Sequence, residues 1–286
     1  MSGDWRLVVT EPLDGATNMA IDEALLRSRL RGVGRPTVRF YGWNPATVSV
    51  GYGQSLAGAV DLDACHRLGL GLVRRPTGGS AILHEPTTLE LTYAVVARAD
   101  DFPGADDVLE TYRVLGEGLR RGLERLGAEV ELVPLARARG ERTPSPTFCF
   151  ARAGAYELAH RGRKLVGSAQ RRQGRAFLQH GAVLLDADVE RLCAVFPGPD
   201  PAAGIATLAG VLGRTPVFDE VATALASGLA DVLAHPLVPG GLEADETVEI
   251  ERLAEEKYRL DEWTLVAAGA SRLPAAEGAR RDRRRA

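Results

Sequence analysis

The sequence predicts an α+β fold with mixed, mostly antiparallel sheets flanked by helices. Extended segments rich in β-branched and aromatic residues occur in clusters, and short turns join several of them as hairpins. Helical segments separate the clusters, without the strict strand–helix alternation of a doubly wound sheet. The 286 residues, 45% hydrophobic and 26% charged, suffice to bury a substantial core.

The first half of the chain contains most of the predicted strands. They are expected at 5–10, on both sides of the Asn44-Pro45 turn in 36–52, on both sides of a glycine turn in 70–85, at 89–97 and at 128–134. Apolar spacing predicts helices at 17–32, 61–69 and 107–126. Cys65 lies on the apolar stripe of the second helix, which favours a buried structural thiol.

The second half begins with a polar, proline-containing loop at 137–146. A hairpin is predicted in 155–172 with its turn near Arg161-Gly162, and a third extended run at 175–186. Alternation would place one set of hairpin residues on a single face, namely Lys164, Val166, Ser168 and Gln170. Helices follow at 189–196, 215–234 and 247–260. Thr215 and Pro216 are expected as N-cap and first helical residue, and Cys193 as a buried thiol.

Charge separates the end of the chain from the rest. Residues 271–286 contain six arginines against Glu277 and Asp282, a charge of about +4 in a chain of net charge −3. Few apolar residues accompany them, so we expect a disordered, solvated tail rather than a nucleic-acid-binding segment. The remainder, 1–270, is expected to form one domain.

Cysteine spacing and hydropathy exclude several protein classes. The three cysteines form neither a disulfide framework nor a zinc motif. No apolar run approaches the roughly 20 residues that span a bilayer, and the N-terminus lacks the pattern of a signal peptide. We therefore expect a cytoplasmic protein with no bound metal and no membrane partner.

Lysine is rare in this chain. Of 35 basic residues only Lys164 and Lys257 are lysines. A lysine in so arginine-rich a chain indicates a position that needs a compact ammonium with an adjustable pKa. Lys257 is expected to be an ordinary surface residue of a helix. Lys164 precedes Gly167, which suggests a bulge or a close backbone approach, although a solvent-facing lysine on an edge strand is the simpler interpretation.

The segment "RRPTGGSAILHE" places Arg74 and Arg75 before Gly78 and Gly79, and ends near His84. Paired glycines permit close backbone approach and expose N–H groups, and arginines can bind a carboxylate or phosphate. The segment matches neither GxGxxG nor a P-loop. Taken alone, it also fits a hairpin turn flanked by charges.

Two single residues add candidate chemistry. Cys149 lies between Phe148 and Phe150, where burial base rates favour a core thiol. Its position between the polar loop and the lysine-bearing hairpin instead favours a reactive thiol. His180, in "FLQHG", is a candidate ligand, although a lone histidine is more often structural.

Together and in this order, the segments resemble the lipoate/biotin protein ligase superfamily. The resemblance rests on "NMAIDEALL", "VRFYGWNPATVSVGY", "RRPTGGSAILHE", "CF…YELAHRGRKLVGSAQRR" and "LQHGAVLL". Within it, the chain is similar to LipM-type octanoyltransferases, in which a "CF" pair precedes the "GRK" lysine. The resemblance implies a catalytic domain over 1–270, with a motif core at about 33–248. Ser80 and a longer "HEPTTLELTY" segment depart from the family pattern at the expected pocket loop.

This resemblance implies an ATP-independent acyltransferase that needs no cofactor. It would move octanoate from octanoyl-acyl carrier protein to a lysine of a lipoyl domain, such as that of the glycine-cleavage H protein. Cys149 would carry the octanoyl thioester, while Lys164 would stabilise its thiolate and orient the acyl group. The implied substrate-binding residues are Arg75, Gly78, Gly79, His84, Gly167, Ser168, His180 and Gly181.

Two other functions use the same residues differently. An ATP-dependent lipoate–protein ligase would form an acyl-adenylate held by the glycine segment and Lys164, and Cys149 would then be packing. A non-enzymatic acyl-carrier-binding module would keep the fold without the chemistry. The presence of both Cys149 and Lys164 favours the transferase.

Overall fold

The computed structural model describes residues 4–134, 148–151, 154–198 and 200–266. Its strands are β1 (Trp5–Val9), β2 (Thr37–Tyr41), β3 (Thr47–Val50), β4 (Gly71–Arg74), β5 (Ile82–His84), β6 (Glu90–Arg98), β7 (Glu131–Leu132), β8 (Leu158–His160), β9 (Arg163–Gln173), β10 (Ala176–Leu184) and β11 (Leu237–Pro239). Its helices are α1 (Gly15–Arg31), α2 (Leu62–Arg67), α3 (Val108–Arg125), α4 (Val189–Val195), α5 (Leu208–Leu212), α6 (Phe218–Leu233), α7 (Ala244–Leu253) and α8 (Asp261–Leu265).

Eight strands form the main sheet in the order β11-β1-β2-β6-β10-β9-β8-β7, and β4-β3-β5 form a smaller one. Strand β1 is parallel to β2 and β11, whereas β2, β6, β10, β9, β8 and β7 pair antiparallel in turn. The small sheet is also mixed. The predicted α+β fold with mixed, mostly antiparallel sheets is therefore confirmed.

Alternation along the central strands divides the core into layers. Tyr93 and Val95 of β6 face a cluster containing α3 and α6, whereas Ala94 and Val96 face a cluster containing α1 and α7. This is the period of two expected for a strand buried on both faces. A third cluster joins the small sheet, α4, Phe148 and Phe150. None of the helices in the described part of the chain is both long enough and apolar enough to cross a bilayer.

The structure corrects two predicted details near the helices and confirms a third. Helix α6 begins at Phe218 with Val217 as N-cap, because the Thr215 hydroxyl lies 3.5 Å from Asp186 Oδ2 instead of capping the helix. Cys193 is exposed, because the buried positions of α4 are Leu192 and Val195, three residues apart. Cys65 is buried, as predicted.

The last predicted helix is also divided. Helix α7 starts earlier than expected, and a single π-helical turn follows at Ala254–Tyr258 before α8. In that turn Lys257 binds Glu23 at 2.5 Å and lies 3.9 Å from the centre of the Trp263 ring. Its side chain is 20% exposed, so the prediction of an ordinary surface lysine is wrong. The predicted tail, 271–286, and the predicted loop, 137–146, lie outside the described residues.

Candidate active site

A narrow cavity, with only about 20 Å³ of space for solvent, lies where the small sheet meets the large one. Its walls come from β2, β5, β6, β9, β10 and α1, and most of them are apolar or aromatic. The lining residues are Met19, Tyr41, Trp43, Arg75, Ile82, His84, Thr92, Cys149, Gly167, Ser168, Ala169, His180 and Gly181. Such a site suits an apolar ligand that a few polar groups orient.

Cys149 reaches this cavity from a 3₁₀ turn at Cys149–Ala151. The turn is tied to the small sheet, because Cys149 N donates to Ala81 O at 2.9 Å. Lys164 Nζ lies 3.5 Å from Cys149 Sγ and 2.8 Å from the carbonyl oxygen of the same residue. The structure thus brings the predicted thiol and the predicted ammonium into contact. Lys164 is 2% exposed, so it is not a solvent-facing edge residue.

A β-bulge aims Lys164 at Cys149. In the β8–β9 pairing Leu158 opposes Val166, but Ala159 opposes Lys164, so Leu165 is an extra residue. Val166 consequently packs in the α3–α6 layer. Lys164 shares the opposite face with Gly167, where an added Cβ would lie 3.0 Å from Lys164 Cε. The prediction that Lys164 shares a face with Val166, Ser168 and Gln170 is therefore wrong.

Glu157 is the ion-pair partner of Lys164, with Oε2 at 2.7 Å from Nζ. Burial alone would lower the pKa of Lys164, but the neighbouring Cys149 and Glu157 outweigh it and raise that pKa above its usual value. Lys164 is therefore an ammonium in this site. Sequence analysis missed Glu157, although a glutamate inside an extended, otherwise apolar segment was the available signal.

Arg75 is hydrogen-bonded to the loop that contains Gly78 and Gly79. Its guanidinium donates to Gly78 O at 3.0 Å and Ser80 O at 2.9 Å, and to both oxygens of Ser49. Burial lowers the pKa of Arg75 to about 10, which still leaves it charged at neutral pH. Its Nε has no hydrogen-bond partner among the described residues. Arg75 is thus a buried cation on the cavity wall with one donor to offer.

Gly78 and Gly79 do not line the cavity. They form the loop to which the Arg75 side chain is hydrogen-bonded. Gly79 has φ +91°, a left-handed conformation that favours glycine. Its carbonyl oxygen would lie 1.9 Å from a Cβ added at Gly51, so the loop packs directly on the end of β3.

Arg74 has a structural role instead of the anion-binding one considered from sequence. It donates to the carbonyls of Trp263, Thr264 and Gly51 and so attaches α8 to the small sheet.

Thr87 and Thr88, in the longer segment after His84, line a separate surface cleft.

Both predicted histidines line the cavity with their ring nitrogens already engaged. His180 contacts Asp22 at 2.8 Å and Thr77 at 2.7 Å, and burial lowers its pKa despite Asp22. His84 contacts Ser49 and Glu90, each at 2.7 Å, and stacks on Trp43. Each ring is fixed in place, so it shapes the cavity wall.

The remaining wall depends on close contact between β9 and β10. A Cβ at Gly181 would lie 2.1 Å from Gly167 O, so a side chain there would force the strands apart. Ser168 shares a 2.7 Å hydrogen bond with Tyr93. Of the ten residues predicted for the site, seven line the cavity, Lys164 contacts Cys149, and Gly78 and Gly79 lie behind Arg75.

Known proteins match this chain over most of its length. Residues 14–230 match the lipoyl protein ligase A/B catalytic domain. An octanoyltransferase LipM of Symbiobacterium thermophilum is 45% identical, over 93% of this chain and 99% of that protein. The octanoyltransferase LipM of Bacillus subtilis is 36% identical, over 91% and 97%.

Solved structures share the fold. A lipoate-protein ligase A bound with ATP superposes with a TM-score of 0.78 at 27% identity, covering 92% of this chain and 99% of that one. A bipartite lipoate protein ligase of Thermoplasma acidophilum gives 0.75 at 25% identity, over 94% and 99%. By its sequence and its fold, the chain belongs to the LipM octanoyltransferase family of lipoyl protein ligase A/B catalytic domains.

Proposed function

We propose that this enzyme moves an octanoyl group from octanoyl-acyl carrier protein to a lysine of a lipoyl domain through a thioester on Cys149. The observation that carries the proposal is the 3.5 Å separation of Lys164 Nζ and Cys149 Sγ at the wall of an apolar cavity. A thiolate is the nucleophilic form of cysteine, and an adjacent ammonium favours it.

The first step exchanges one thioester for another. Cys149 Sγ attacks the octanoyl carbonyl carbon, the bond from that carbon to the carrier sulfur breaks, and the carrier leaves as a thiol after taking a proton. In the second step the amine of the target lysine attacks octanoyl-Cys149, forms an amide and restores the thiol. An amide is more stable than a thioester, so the sequence needs no ATP.

The cavity supplies binding energy and charge stabilisation. Each methylene of the octanoyl chain that leaves water contributes about 0.8 kcal/mol. The charge on the oxygen of each tetrahedral intermediate needs a donor near Cys149. Arg75 is suited to this role, because it is a buried cation on the cavity wall whose Nε lacks a partner among the described residues.

An ATP-dependent ligase is the alternative, because a lipoate-protein ligase bound with ATP has the same fold. ATP distinguishes the two functions. The purified protein, octanoyl-acyl carrier protein and a lipoyl domain should give octanoylated lipoyl domain without nucleotide. Formation of that product only from free octanoate and ATP would support the ligase.

The acceptor is proposed more narrowly as the lipoyl domain of the glycine-cleavage H protein. The Thermoplasma ligase is described with an E2 lipoyl domain, so a domain of that type is the natural competitor in the assay. Faster transfer to H protein is expected, and a preference for the E2 domain would reassign the acceptor.

We also propose that the enzyme works in the cytoplasm. All three cysteines are free thiols, which fits the reducing cytoplasm, where disulfides are rare.

A further inference from the structure

Lys164 is an unusual ammonium, because it is buried and depends on its neighbours for its charge. Its side chain is 2% exposed, and burial by itself favours the neutral amine. Cys149 can support the ammonium only while its sulfur is a thiolate. That support disappears once Cys149 is acylated, because a thioester carries no charge. A second anion must then hold the proton on Lys164.

Glu157 has the geometry for this task. Its side chain is 8% exposed, and Oε2 lies 2.7 Å from Lys164 Nζ. The same oxygen accepts a hydrogen bond from Gly154 N, while Oε1 accepts one from Ser168 N at 2.9 Å. Two backbone donors therefore fix the carboxylate between the segment before β8 and the middle of β9. Neither donor supplies a full charge that could replace Lys164.

We propose that Glu157 is a positioning residue, which keeps Lys164 charged and aimed at Cys149 through both halves of the acyl transfer. The inference rests on the proposed thioester route for its place in catalysis. Lys164 then acts as an electrostatic partner and not as the base. In the first half-reaction the proton of the Cys149 thiol passes to solvent, and the departing carrier thiolate takes one proton from solvent, so charge and atoms balance.

Other titrating groups face the same cluster. Burial raises the pKa of Tyr93 to about 12 and also raises that of Tyr112, so both remain neutral in an ordinary assay. Among the described residues near the cluster, Arg75, whose pKa burial lowers to about 10, is the other cation that could lose its charge at high pH. It contacts Ser49, Gly78 and Ser80 rather than Glu157, so a change at Glu157 leaves its bonds in place.

The test is the pH dependence of Cys149 reactivity in Glu157→Gln. The amide can still accept from the Ser168 backbone but has no charge, so Lys164 should become neutral within the assay range. Alkylation of Cys149 by iodoacetamide, followed from about pH 6 to about pH 9.5, should fall behind wild type by about tenfold near neutral pH and approach it at the alkaline end, where the thiol ionises without help from an ammonium. Thioester formation with octanoyl-acyl carrier protein should show the same divergence.

Two further variants separate charge from shape. Glu157→Asp keeps the charge, so its rate should be lower but parallel to wild type across pH. The double variant Glu157→Gln/Lys164→Arg should lose this divergence, because arginine does not deprotonate in this range. Glu246→Gln removes another buried carboxylate, paired with Arg6 at 2.7 Å, and should leave the profile unchanged.

Parallel profiles for wild type and Glu157→Gln would overturn the inference, as would an unchanged divergence in the double variant. If Glu157→Gln does not fold, the Glu157→Asp profile alone decides, and a new loss near neutral pH in it would count against the role. Alkylation needs no acyl substrate. A wild type that forms no octanoyl thioester would therefore reject the proposed function while the alkylation profiles still tested Glu157.

Discussion

Lys164 Nζ contacts both the sulfur and the carbonyl oxygen of Cys149, at 3.5 and 2.8 Å. The second contact fixes the first, because an amine bound to the backbone of the 3₁₀ turn cannot move far from the sulfur. The 3₁₀ turn itself is hydrogen-bonded to Ala81 at the edge of the small sheet. The thiol–ammonium pair is thus positioned by main chain from two sheets.

Replacing Lys164 by glutamine should therefore reduce the reactivity of Cys149 at neutral pH. The glutamine side chain has no charge with which to favour the thiolate, so alkylation by iodoacetamide should slow by about tenfold or more. Lys164→Arg should retain part of the rate, since it keeps the charge but not the compact ammonium. Lys257→Gln is the matched control, because it removes the other lysine and should react like wild type. Equal rates in Lys164→Gln and wild type would remove Lys164 from its assigned role.

The contact between β9 and β10 should tolerate no side chain at Gly181. Alanine there places Cβ 2.1 Å from Gly167 O and 2.8 Å from the Tyr93 ring, which must both shift. The free energy of unfolding should fall by about 1–3 kcal/mol, as measured by urea denaturation. Gly53→Ala, at an open position, should change it by less than about 0.5 kcal/mol. A fully stable Gly181→Ala variant would mean that the two strands are farther apart than described.

His180 should make the fold sensitive to mild acid. Burial, with Arg75 and His84 nearby, lowers its pKa below the usual 6.5, although Asp22 opposes the shift. A histidine with a lowered folded-state pKa contributes stability that is complete above about pH 6.5 and is lost as pH falls through the folded-state value. The free energy of unfolding should drop between about pH 7 and pH 5, and His180→Gln should show a smaller drop. His66→Gln, on the exposed face of α2, serves as control and should follow the wild-type curve.

Asp22 contacts His180, so its own titration must be distinguished from that of His180 in this measurement. The pKa of Asp22 is also lowered, by its contacts with His180 and Arg39 against the effect of burial, but a carboxylate titrates only below about pH 4. Asp22 therefore does not obscure the window above pH 5. If His180→Gln and wild type lose stability in parallel there, His180 is protonated in the fold.

Local patterns predicted the elements better than the details of the site. The antiparallel strands β6, β9 and β10 follow from their β-branched and alternating residues, and the motif order placed Arg75, Cys149 and Lys164 in one site. The bulge at Leu165 could not be predicted, because an extra residue is visible only against its partner strand. Without it, alternation points Lys164 to the wrong face.

The missed and misjudged residues share one cause, which is side-chain pairing that appears only in the folded chain. Glu157 stood out in sequence only as a glutamate inside an apolar extended segment, which does not show that it pairs with Lys164. Lys257 had the pattern of a surface helix, but it binds Glu23 more than two hundred residues away. Arg74 and Arg75 are adjacent and chemically identical, yet one fixes α8 and the other lines the cavity. Composition and spacing carry no signal for such pairings.

The most direct test of the proposed function is the intact mass of the protein after incubation with octanoyl-acyl carrier protein in the absence of ATP. Wild type should gain one octanoyl group, hydroxylamine should remove it, and peptide mapping should place it on Cys149. Cys149→Ala should gain nothing and transfer nothing, whereas Cys193→Ala, which removes an exposed thiol, should behave like wild type. Octanoyl transfer by Cys149→Ala at the wild-type rate would contradict the covalent mechanism.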